Sequence, residues 1–166
     1  MIILCINLMK RKGTNMSEGL NLIIIDDDSS VCKTISNIVN SFYTWGDVIC
    51  FVDVDEALSY CRDRDIGVGI FIIDVFLGSQ SGFDFMKKIE GKYPSIYEDT
   101  IIITGNASDE MVNRCISLNV NYLMEKPIMP YALQLAVRAI AMKYLTFAKR
   151  LLRDPVFAAE VSKIQD

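Results

Sequence analysis

The sequence predicts an α/β protein with a five-stranded parallel sheet and helices on both faces. Short apolar segments alternate five times with longer segments whose apolar residues recur at helical spacing. The short segments are continuously apolar and rich in β-branched residues, which is typical of parallel strands buried on both faces. A repeated strand–helix order with such strands predicts a single layered α/β domain.

The five predicted strands are each followed by a predicted helix. They cover residues 20–25, 48–52, 68–73, 100–104 and 121–125. Serine and aspartate residues precede the helical spacing and are candidate N-caps, since their side chains accept hydrogen bonds from free amide groups. These candidates are Ser29 and Ser30 for the first helix, Asp53 for the second and Ser108 for the fourth.

The helical spacing also predicts which side chains point inward. In the third helix, predicted from Gly82 to Gly91 with Tyr93-Pro94 as the stop, the inward residues are Phe83, Met86 and Ile89. In the fourth, the inward residues are Met111, Val112, Cys115 and Ile116. The fifth helix begins near Pro130 and continues well beyond the length that a small sheet covers.

The composition of the chain argues against some classes of function. The 166 residues are 51% hydrophobic and carry a net charge of −4, which argues against nucleic acid as the main partner. The five cysteines, Cys5, Cys32, Cys50, Cys61 and Cys115, form no CxxC pair, and the chain has no histidine, so a zinc site is not expected. Buried thiols in a reducing cytoplasm are the interpretation we favour.

The amino-terminal residues 1–19 are predicted to form a flexible tail outside the fold. Their apolar run of nine residues is too short for a membrane span, and its positive charges follow the run, whereas a secretory signal places them before it. Met16 is a plausible alternative start of the chain.

Polar residues end four of the five predicted strands. Asp26 and Asp27 follow the first strand, Asp74 the third, Thr104 the fourth and Lys126 the fifth. Taken singly, each has an ordinary explanation as a turn or cap residue. Together they predict a site, because the carboxyl ends of parallel strands open on one edge of the sheet, where ligands bind.

This set of side chains favours phosphoryl chemistry with a divalent cation. Clustered carboxylates repel one another unless a cation lies between them, and an all-oxygen cluster suits Mg²⁺. A carboxylate beside Mg²⁺, a hydroxyl and a lysine can attack phosphorus and form an acyl phosphate. Since the chain has no histidine, the phosphoryl donor is expected on another molecule.

At these motifs the chain resembles the receiver domain of two-component response regulators. The matching segments are IIIDDD, FIIDVFLGSQSG, IIITGNA and MEKPI, in the family's order and spacing, over about residues 20–145. The resemblance implies a flavodoxin-like sheet with strand order 2-1-3-4-5. It also implies a phosphoryl donor that is a histidine kinase or a histidine phosphotransfer protein.

The resemblance further implies a role for each site residue. Asp74 would be the phosphoacceptor, and Mg²⁺ would be bound by Asp27, Asp74 and the carbonyl group of Phe76, with Asp26 acting through water. Lys126 would pair with the phosphoryl group. Thr104 would move to hydrogen-bond that group and carry the change to the fourth helix and fifth strand.

The chain departs from the family pattern at two places. Leu77-Gly78 replaces the usual Met-Pro after the acceptor, and Leu123 stands where an aromatic residue commonly moves with the threonine, with Tyr122 one place earlier. The residue two places beyond the acceptor, which tunes dephosphorylation in the family, is Phe76. An apolar side chain there hinders attacking water, so we expect a long-lived phosphoryl group.

A second interpretation is an aspartate-nucleophile phosphatase of the haloacid-dehalogenase type, suggested by Asp53-Val54-Asp55 after a strand. That family needs a late acidic motif after another strand, and the acids beyond Lys126 follow no apolar strand. We therefore favour Asp53 as a helix cap.

Residues 146–166 are predicted to form a helical extension, with Asp154 as the cap and Pro155 as the first residue of a short last helix. This segment is too short for a DNA-binding domain. The long helix from Pro130 predicts a homodimer or docking on a downstream protein through an apolar stripe of Leu133, Val137, Ile140, Tyr144, Phe147 or Ala148, and Leu151. The interpretation that we favour for the whole chain is thus a stand-alone receiver, which is not an enzyme in the classical sense. The alternative is a receiver-like interaction module that works without phosphorylation.

Overall fold

The computed structural model describes residues 19–65 and 67–164. The strands of its main sheet are β1 Leu22–Ile25, β2 Val48–Phe51, β3 Ile70–Asp74, β6 Thr100–Thr104 and β7 Tyr122–Glu125. These five strands are parallel and lie in the order β2-β1-β3-β6-β7, which confirms the predicted class and strand order. Asp74 closes β3 instead of following it, so the acceptor candidate is held by the sheet itself.

Six helices accompany the strands in the described part of the chain: α1 Ser29–Asn40, α2 Val54–Asp63, α3 Gly82–Ile89, α4 Asp109–Ser117, α5 Pro130–Arg153 and α6 Pro155–Val161. A short antiparallel hairpin, β4 Phe76–Leu77 and β5 Gln80–Ser81, lies between β3 and α3. The sequence did not predict this hairpin.

The sheet separates two hydrophobic layers, as expected for strands that are apolar on both sides. Ile23, Ile25, Phe71, Ile73 and Ile102 point to one layer, which α2, α3 and α4 cover. The intervening strand residues, including Ile24 and Ile72, point to the other layer, covered by α1 and α5. The central strands β1, β3 and β6 are buried along their whole length, so their ends are fixed positions for site residues.

The helix caps were predicted correctly for α2 and α4 and wrongly for α1. Asp53 and Ser108 accept hydrogen bonds from the amides of the first turns of α2 and α4. At α1 the cap is Asp28, whose carboxylate accepts from the Ser30 amide at 2.8 Å, whereas Ser29 and Ser30 are already helical. An aspartate takes this position because a short carboxylate reaches the free amides of the first turn.

The predicted inward face of α4 was partly wrong. Cys115 is buried and Met111 packs at the edge of the core, but Val112 is 42% exposed and Ile116 66% exposed. The reason is the position of α4 near the sheet edge, where β7 is itself only half-buried. An amphipathic helix at such an edge extends beyond the strand that it covers.

Helix α5 has 24 residues and carries the predicted apolar stripe, of which Leu133, Val137 and Ile140 are buried against the sheet. Beyond the sheet, α6 folds back onto α5. Phe157 packs against Phe147 with ring centroids 5.8 Å apart. Asp154 caps α6 as predicted and Pro155 begins it. Part of the stripe is therefore covered within the chain, and the homodimer stays a prediction.

The division at residue 145 also stays a prediction, since α5 runs continuously across it. The predicted tail lies outside the described residues as far as residue 18. Among the described residues, no helix combines the length and apolar character that a membrane span requires. Three described cysteines, Cys32, Cys61 and Cys115, are buried as predicted, but Cys50 is exposed because it lies on the edge strand β2.

An ion pair fixes α5 to the end of the sheet remote from the strand carboxyl ends. Asp99, which directly precedes β6, is buried and accepts hydrogen bonds from the ammonium group of Lys143 and the hydroxyl group of Tyr144. Burial raises the pKa of Asp99, and the two hydrogen bonds oppose this shift.

Candidate functional site

Three carboxylates meet at the carboxyl edge of the sheet, where the sequence predicted them. Asp26 and Asp27 follow β1, and Asp74 ends the neighbouring strand β3. Oxygen atoms of the three side chains lie within 4.8 Å of one another. Asp26 and Asp74 are buried, whereas Asp27 is exposed, so the cluster opens to solvent on one side.

Lys126 connects two of these carboxylates. Its Nζ lies 2.8 Å from Oδ2 of Asp26 and also pairs with Oδ2 of Asp74. The amide of Lys126 donates to the carbonyl oxygen of Thr104 at 2.8 Å, so the end of β6 positions the lysine backbone. The following peptide bond to Pro127 is cis. Burial disfavours the charged amine, but the hydrogen bonds to Asp26 and Asp74 outweigh it and raise the pKa of Lys126.

Asp26 is the most enclosed acid of the cluster. One of its oxygens accepts the amide hydrogen of Asp28 at 2.9 Å, and the other accepts from Lys126. Burial nevertheless dominates and raises the pKa of Asp26 above its ordinary value, since the negative charge loses its hydration. Ionisation of Asp26 is therefore costly in this site, and a bound cation would reduce that cost.

The β4–β5 hairpin encloses Asp74. The amide of Phe76 donates to Oδ1 of Asp74 at 3.1 Å, and the Phe76 side chain is 65% exposed beside it. Gly78 has a φ of 63°, which glycine adopts without steric cost, and a Cβ there would lie 3.9 Å from Oδ2 of Asp27. Leu77-Gly78 thus forms part of a tight turn beside the acids instead of the family's Met-Pro.

Gly82 is a residue beside the site whose role could not be assigned from the sequence. It begins α3 directly behind Asp74, and a Cβ there would lie 2.3 Å from the Asp74 carbonyl oxygen and 2.7 Å from Cγ2 of Ile73. Its amide donates to the carbonyl oxygen of Val75 at 2.9 Å. Its spacing from Asp74 within FIIDVFLGSQSG is part of the resemblance, but spacing alone does not predict this close packing.

Thr104 ends β6 next to β3 and is buried. Its hydroxyl contacts the backbone of Asn106, 3.2 Å from the carbonyl oxygen and 3.3 Å from the amide. The structure thus brings Asp26, Asp27, Asp74 and Lys126 into one cluster and adds the backbone of Phe76. Thr104 is placed at the same sheet edge with its hydroxyl bound to its own loop.

Asp53, the candidate nucleophile of the phosphatase interpretation, caps a helix in the structure. Oδ1 of Asp53 accepts the amides of Asp55 at 2.8 Å and Glu56 at 2.9 Å, which is a helix cap. In the described part of the chain, the acidic cluster suited to a metal ion is formed by Asp26, Asp27 and Asp74.

The cluster fits a hard divalent cation. Carboxylate oxygens from three residues converge on one point, and no sulfur or nitrogen donor belongs to the group. Such a donor set suits Mg²⁺, which binds one or two carboxylates and keeps several water molecules. The exposed side at Asp27 leaves room for those waters.

We predict that Asp26→Asn raises the free energy of unfolding by about 1 kcal/mol at neutral pH without divalent cations. Because the pKa of Asp26 is raised in the folded state, the folded protein loses stability as the pH rises from 3.8 through that raised value. Asparagine mimics the neutral acid. The gain should therefore shrink as the pH falls toward 3.8.

Urea unfolding of both proteins in a chelator, across a series of pH values, measures this difference. Asp53→Asn is the matched control, because it removes a carboxylate from an exposed cap position where asparagine caps equally well. A variant less stable than the wild type at neutral pH, or a gain that does not change with pH, would contradict the prediction.

Comparison with known proteins agrees with this geometry. The family model described as the response regulator receiver domain matches residues 22–138. The transcriptional regulatory protein FlgR of Helicobacter pylori is 27% identical over 111 residues. That match covers 67% of this chain and 27% of FlgR, so the chain spans about a quarter of the length of this curated relative.

Solved receiver structures have the same fold. The chemotaxis protein CheY4 of Vibrio cholerae is 19% identical with a TM-score of 0.62, over 74% of this chain and 98% of that protein. The signal receiver domain of an HD domain-containing protein from Pseudomonas fluorescens is 17% identical with a TM-score of 0.65, over 78% and 99%. At such identities these likenesses concern the fold alone. The family match over more than two thirds of the chain, together with this fold, shows that the chain belongs to the response regulator receiver domain family.

Proposed function

We propose that Asp74 accepts a phosphoryl group in a Mg²⁺-dependent reaction and that the phosphorylated domain signals through protein–protein contacts. The observation that carries this proposal is the placement of the Asp74 carboxylate. It ends a buried strand, lies within a cluster of acids and pairs with Lys126. No turnover of a free substrate is proposed: the chain is a phosphoacceptor that takes part in its own modification.

The donor is a phosphohistidine on a histidine kinase or a histidine phosphotransfer protein. An oxygen of Asp74 attacks phosphorus, the P–N bond breaks, and the imidazole of the donor leaves with the bonding electrons and takes up a proton. This yields an acyl phosphate on Asp74. Lys126 stays close enough to neutralise an oxygen of the transferred group.

Asp27, Asp74 and the Phe76 carbonyl group would hold Mg²⁺, with Asp26 acting through a water molecule. The ion supplies positive charge to the phosphoryl oxygens, which is the main requirement of phosphoryl transfer. The donor set supports this assignment, because three carboxylates converge there without a sulfur or nitrogen donor.

Thr104 is proposed to report the modification. Its hydroxyl is held by the Asn106 backbone, and exchange of that contact for a phosphoryl oxygen would move the loop before α4. Helices α4 and α5 expose apolar side chains, including Ile116 and Leu135, which suit a downstream protein or a second receiver. The free thiols of the described cysteines support a reducing compartment such as the cytoplasm.

The test is incubation of the protein with acetyl phosphate and Mg²⁺, followed by mass spectrometry of the intact protein and of its peptides. We expect one added phosphoryl group on Asp74, no addition in a chelator and no addition to Asp74→Asn. Asp53→Asn is the control and should be modified like the wild type, since Asp53 caps α2.

Addition to Asp53 instead of Asp74 would favour the phosphatase interpretation. Failure of a folded, Mg²⁺-binding protein to accept the group from either acetyl phosphate or a phosphotransfer protein would favour the phosphorylation-independent module. Beryllofluoride with Mg²⁺ gives a second readout, because it should change the fluorescence of the chain or its oligomeric state only when Asp74 is present.

We also predict that Phe76→Asn shortens the lifetime of the phosphoryl group severalfold. Phe76 lies two residues beyond the acceptor, with its backbone amide bonded to Asp74 and its side chain exposed. We expect an apolar ring at this position to hinder attacking water, whereas an amide side chain can hydrogen-bond a water molecule. Decay of phosphorylated protein after removal of acetyl phosphate measures the lifetime. Equal lifetimes in the wild type and the variant would rule out this role of Phe76.

A further inference from the structure

Two cysteines meet at the open edge of the sheet. Cys32 lies in the first turn of α1 and Cys50 lies on the edge strand β2. The Sγ atom of Cys50 is 3.6 Å from the carbonyl oxygen of Cys32, and the Sγ atom of Cys32 is 3.6 Å from the carbonyl oxygen of Phe51. The Cys50 thiol thus contacts the backbone of Cys32, and the Cys32 thiol contacts the backbone next to Cys50, so the two side chains are neighbours.

The two thiols differ in access. Cys32 is 3% exposed and belongs to the hydrophobic layer under α1, whereas Cys50 is exposed to solvent. The neighbouring Cys32 thiol is the main cause that lowers the pKa of Cys50 to about 7, burial opposes it, and Ser36 also lowers it. The same interaction, together with burial, raises the pKa of Cys32. An exposed thiol that ionises near neutral pH is the more reactive of such a pair.

The other described cysteines lie elsewhere. Cys61 and Cys115 are buried in the layer on the opposite face of the sheet, under α2 and α4. Burial raises the pKa of Cys61 to about 12 and also raises the pKa of Cys115, so both thiols stay protonated and shielded. These two residues serve as internal controls for any reaction at Cys50.

We propose that Cys32 and Cys50 are a peroxide-oxidised dithiol pair that closes into a disulfide between α1 and β2. The Cys50 sulfur attacks one oxygen of hydrogen peroxide, the O–O bond breaks, and sulfenic acid and water form. The Cys32 sulfur then attacks the Cys50 sulfur, and the S–O bond breaks with release of a second water molecule. Two thiols are oxidised while one peroxide is reduced to two waters.

The location of Cys32 connects the cysteine pair to the segment that carries Asp26. The Cys32 thiol donates to the main-chain carbonyl oxygen of Asp26 at 3.4 Å, and disulfide formation removes that hydrogen. It also ties the start of α1, which Asp28 caps, to the edge strand. Oxidation is therefore expected to change the segment that carries Asp26 without any change to Asp74.

The experiment uses the full chain with Cys5→Ser, because Cys5 lies outside the described residues. The reduced protein is treated with an equimolar amount of hydrogen peroxide, and remaining thiols are then alkylated. We expect a loss of two hydrogens per chain, a single Cys32–Cys50 disulfide in the peptide map, and recovery of the original mass with a reductant. Cys50 of the reduced protein should be alkylated about tenfold faster than Cys61 or Cys115.

Variants separate the two steps. Cys50→Ser, at an exposed position, should form no disulfide, and Cys32→Ser should leave Cys50 as a sulfenic acid that dimedone traps. Cys61→Ser and Cys115→Ser should behave like the parent. The proposal is overturned if the folded protein forms no disulfide, if Cys50 pairs with Cys61 or Cys115, or if urea-unfolded protein gives the same pairing as folded protein.

Discussion

Replacement of Gly82 by alanine is expected to destabilise the fold by about 3 kcal/mol and to displace the phosphoacceptor. The added Cβ would lie 2.3 Å from the carbonyl oxygen of Asp74 and 2.7 Å from Ile73, and both are held in the central strand β3. A backbone oxygen in a buried strand cannot rotate away as a flexible side chain would. Either β3 or the start of α3 must shift, and Asp74 would shift with it.

The sign of this stability change is diagnostic, because replacing a glycine in a helix by alanine normally increases stability. Urea unfolding gives the change in stability, and Mg²⁺ titration together with the rate of acetyl phosphate labelling gives the change at the site. We expect Mg²⁺ affinity and labelling to fall together.

Gly91→Ala is the matched control. Gly91 follows α3, and a Cβ there would meet nothing within 4 Å. It should change neither Mg²⁺ binding nor labelling, and its effect on stability should be a few tenths of a kcal/mol. A Gly82→Ala protein as stable and as reactive as Gly91→Ala would show that β3 and α3 do not constrain Asp74 as the structure indicates.

The sequence was sufficient to predict the sheet and the acidic cluster for one physical reason. Continuous apolar segments such as Ile23–Ile25 and Phe71–Ile73, alternating with amphipathic helices, are typical of parallel strands buried on both faces. Once the strands are parallel, their carboxyl ends share an edge, and the strand order implied by the resemblance places β1 beside β3, so Asp26 and Asp74 approach each other. The prediction needed the direction and the order of the strands and no side-chain detail.

Features that depend on one or two residues or on packing register could not be predicted in the same way. The β4–β5 hairpin has two residues per strand, too few to give a periodic signal. The choice of Asp28 over Ser29 as cap depends on where the first helical turn begins. The contact of Cys32 with Cys50 depends on how α1 lies against the edge strand, which periodicity does not determine.

Lys126→Met is expected to have the largest effect on the chemistry. The substitution keeps most of the length of the side chain and removes the cation that pairs with both Asp26 and Asp74. Two buried carboxylates then face each other without compensation. A fully buried pair loses about 3–5 kcal/mol when one partner is removed, and we expect about 2 kcal/mol here because the Lys126 side chain remains 25% exposed.

The stability loss should depend on Mg²⁺. In a chelator the variant should show the full deficit, and saturating Mg²⁺ should recover much of it, since a divalent cation between the carboxylates replaces the missing positive charge. Phosphoryl transfer from acetyl phosphate should nevertheless fall by about 100-fold even with Mg²⁺. The reason is that the cation cannot replace the hydrogen bond from the lysine ammonium group to a phosphoryl oxygen.

Lys143→Met separates these effects from a general loss of stability. Lys143 also pairs with a buried aspartate, Asp99, but at the opposite end of β6. This control should be destabilised whether or not Mg²⁺ is present and should accept the phosphoryl group at the wild-type rate under conditions where it is folded. If Lys126→Met and Lys143→Met respond alike to Mg²⁺ and are labelled alike, then Lys126 serves the fold alone. A Mg²⁺-dependent recovery of stability confined to Lys126→Met, with slow labelling, would instead place its ammonium group at the reacting phosphoryl group.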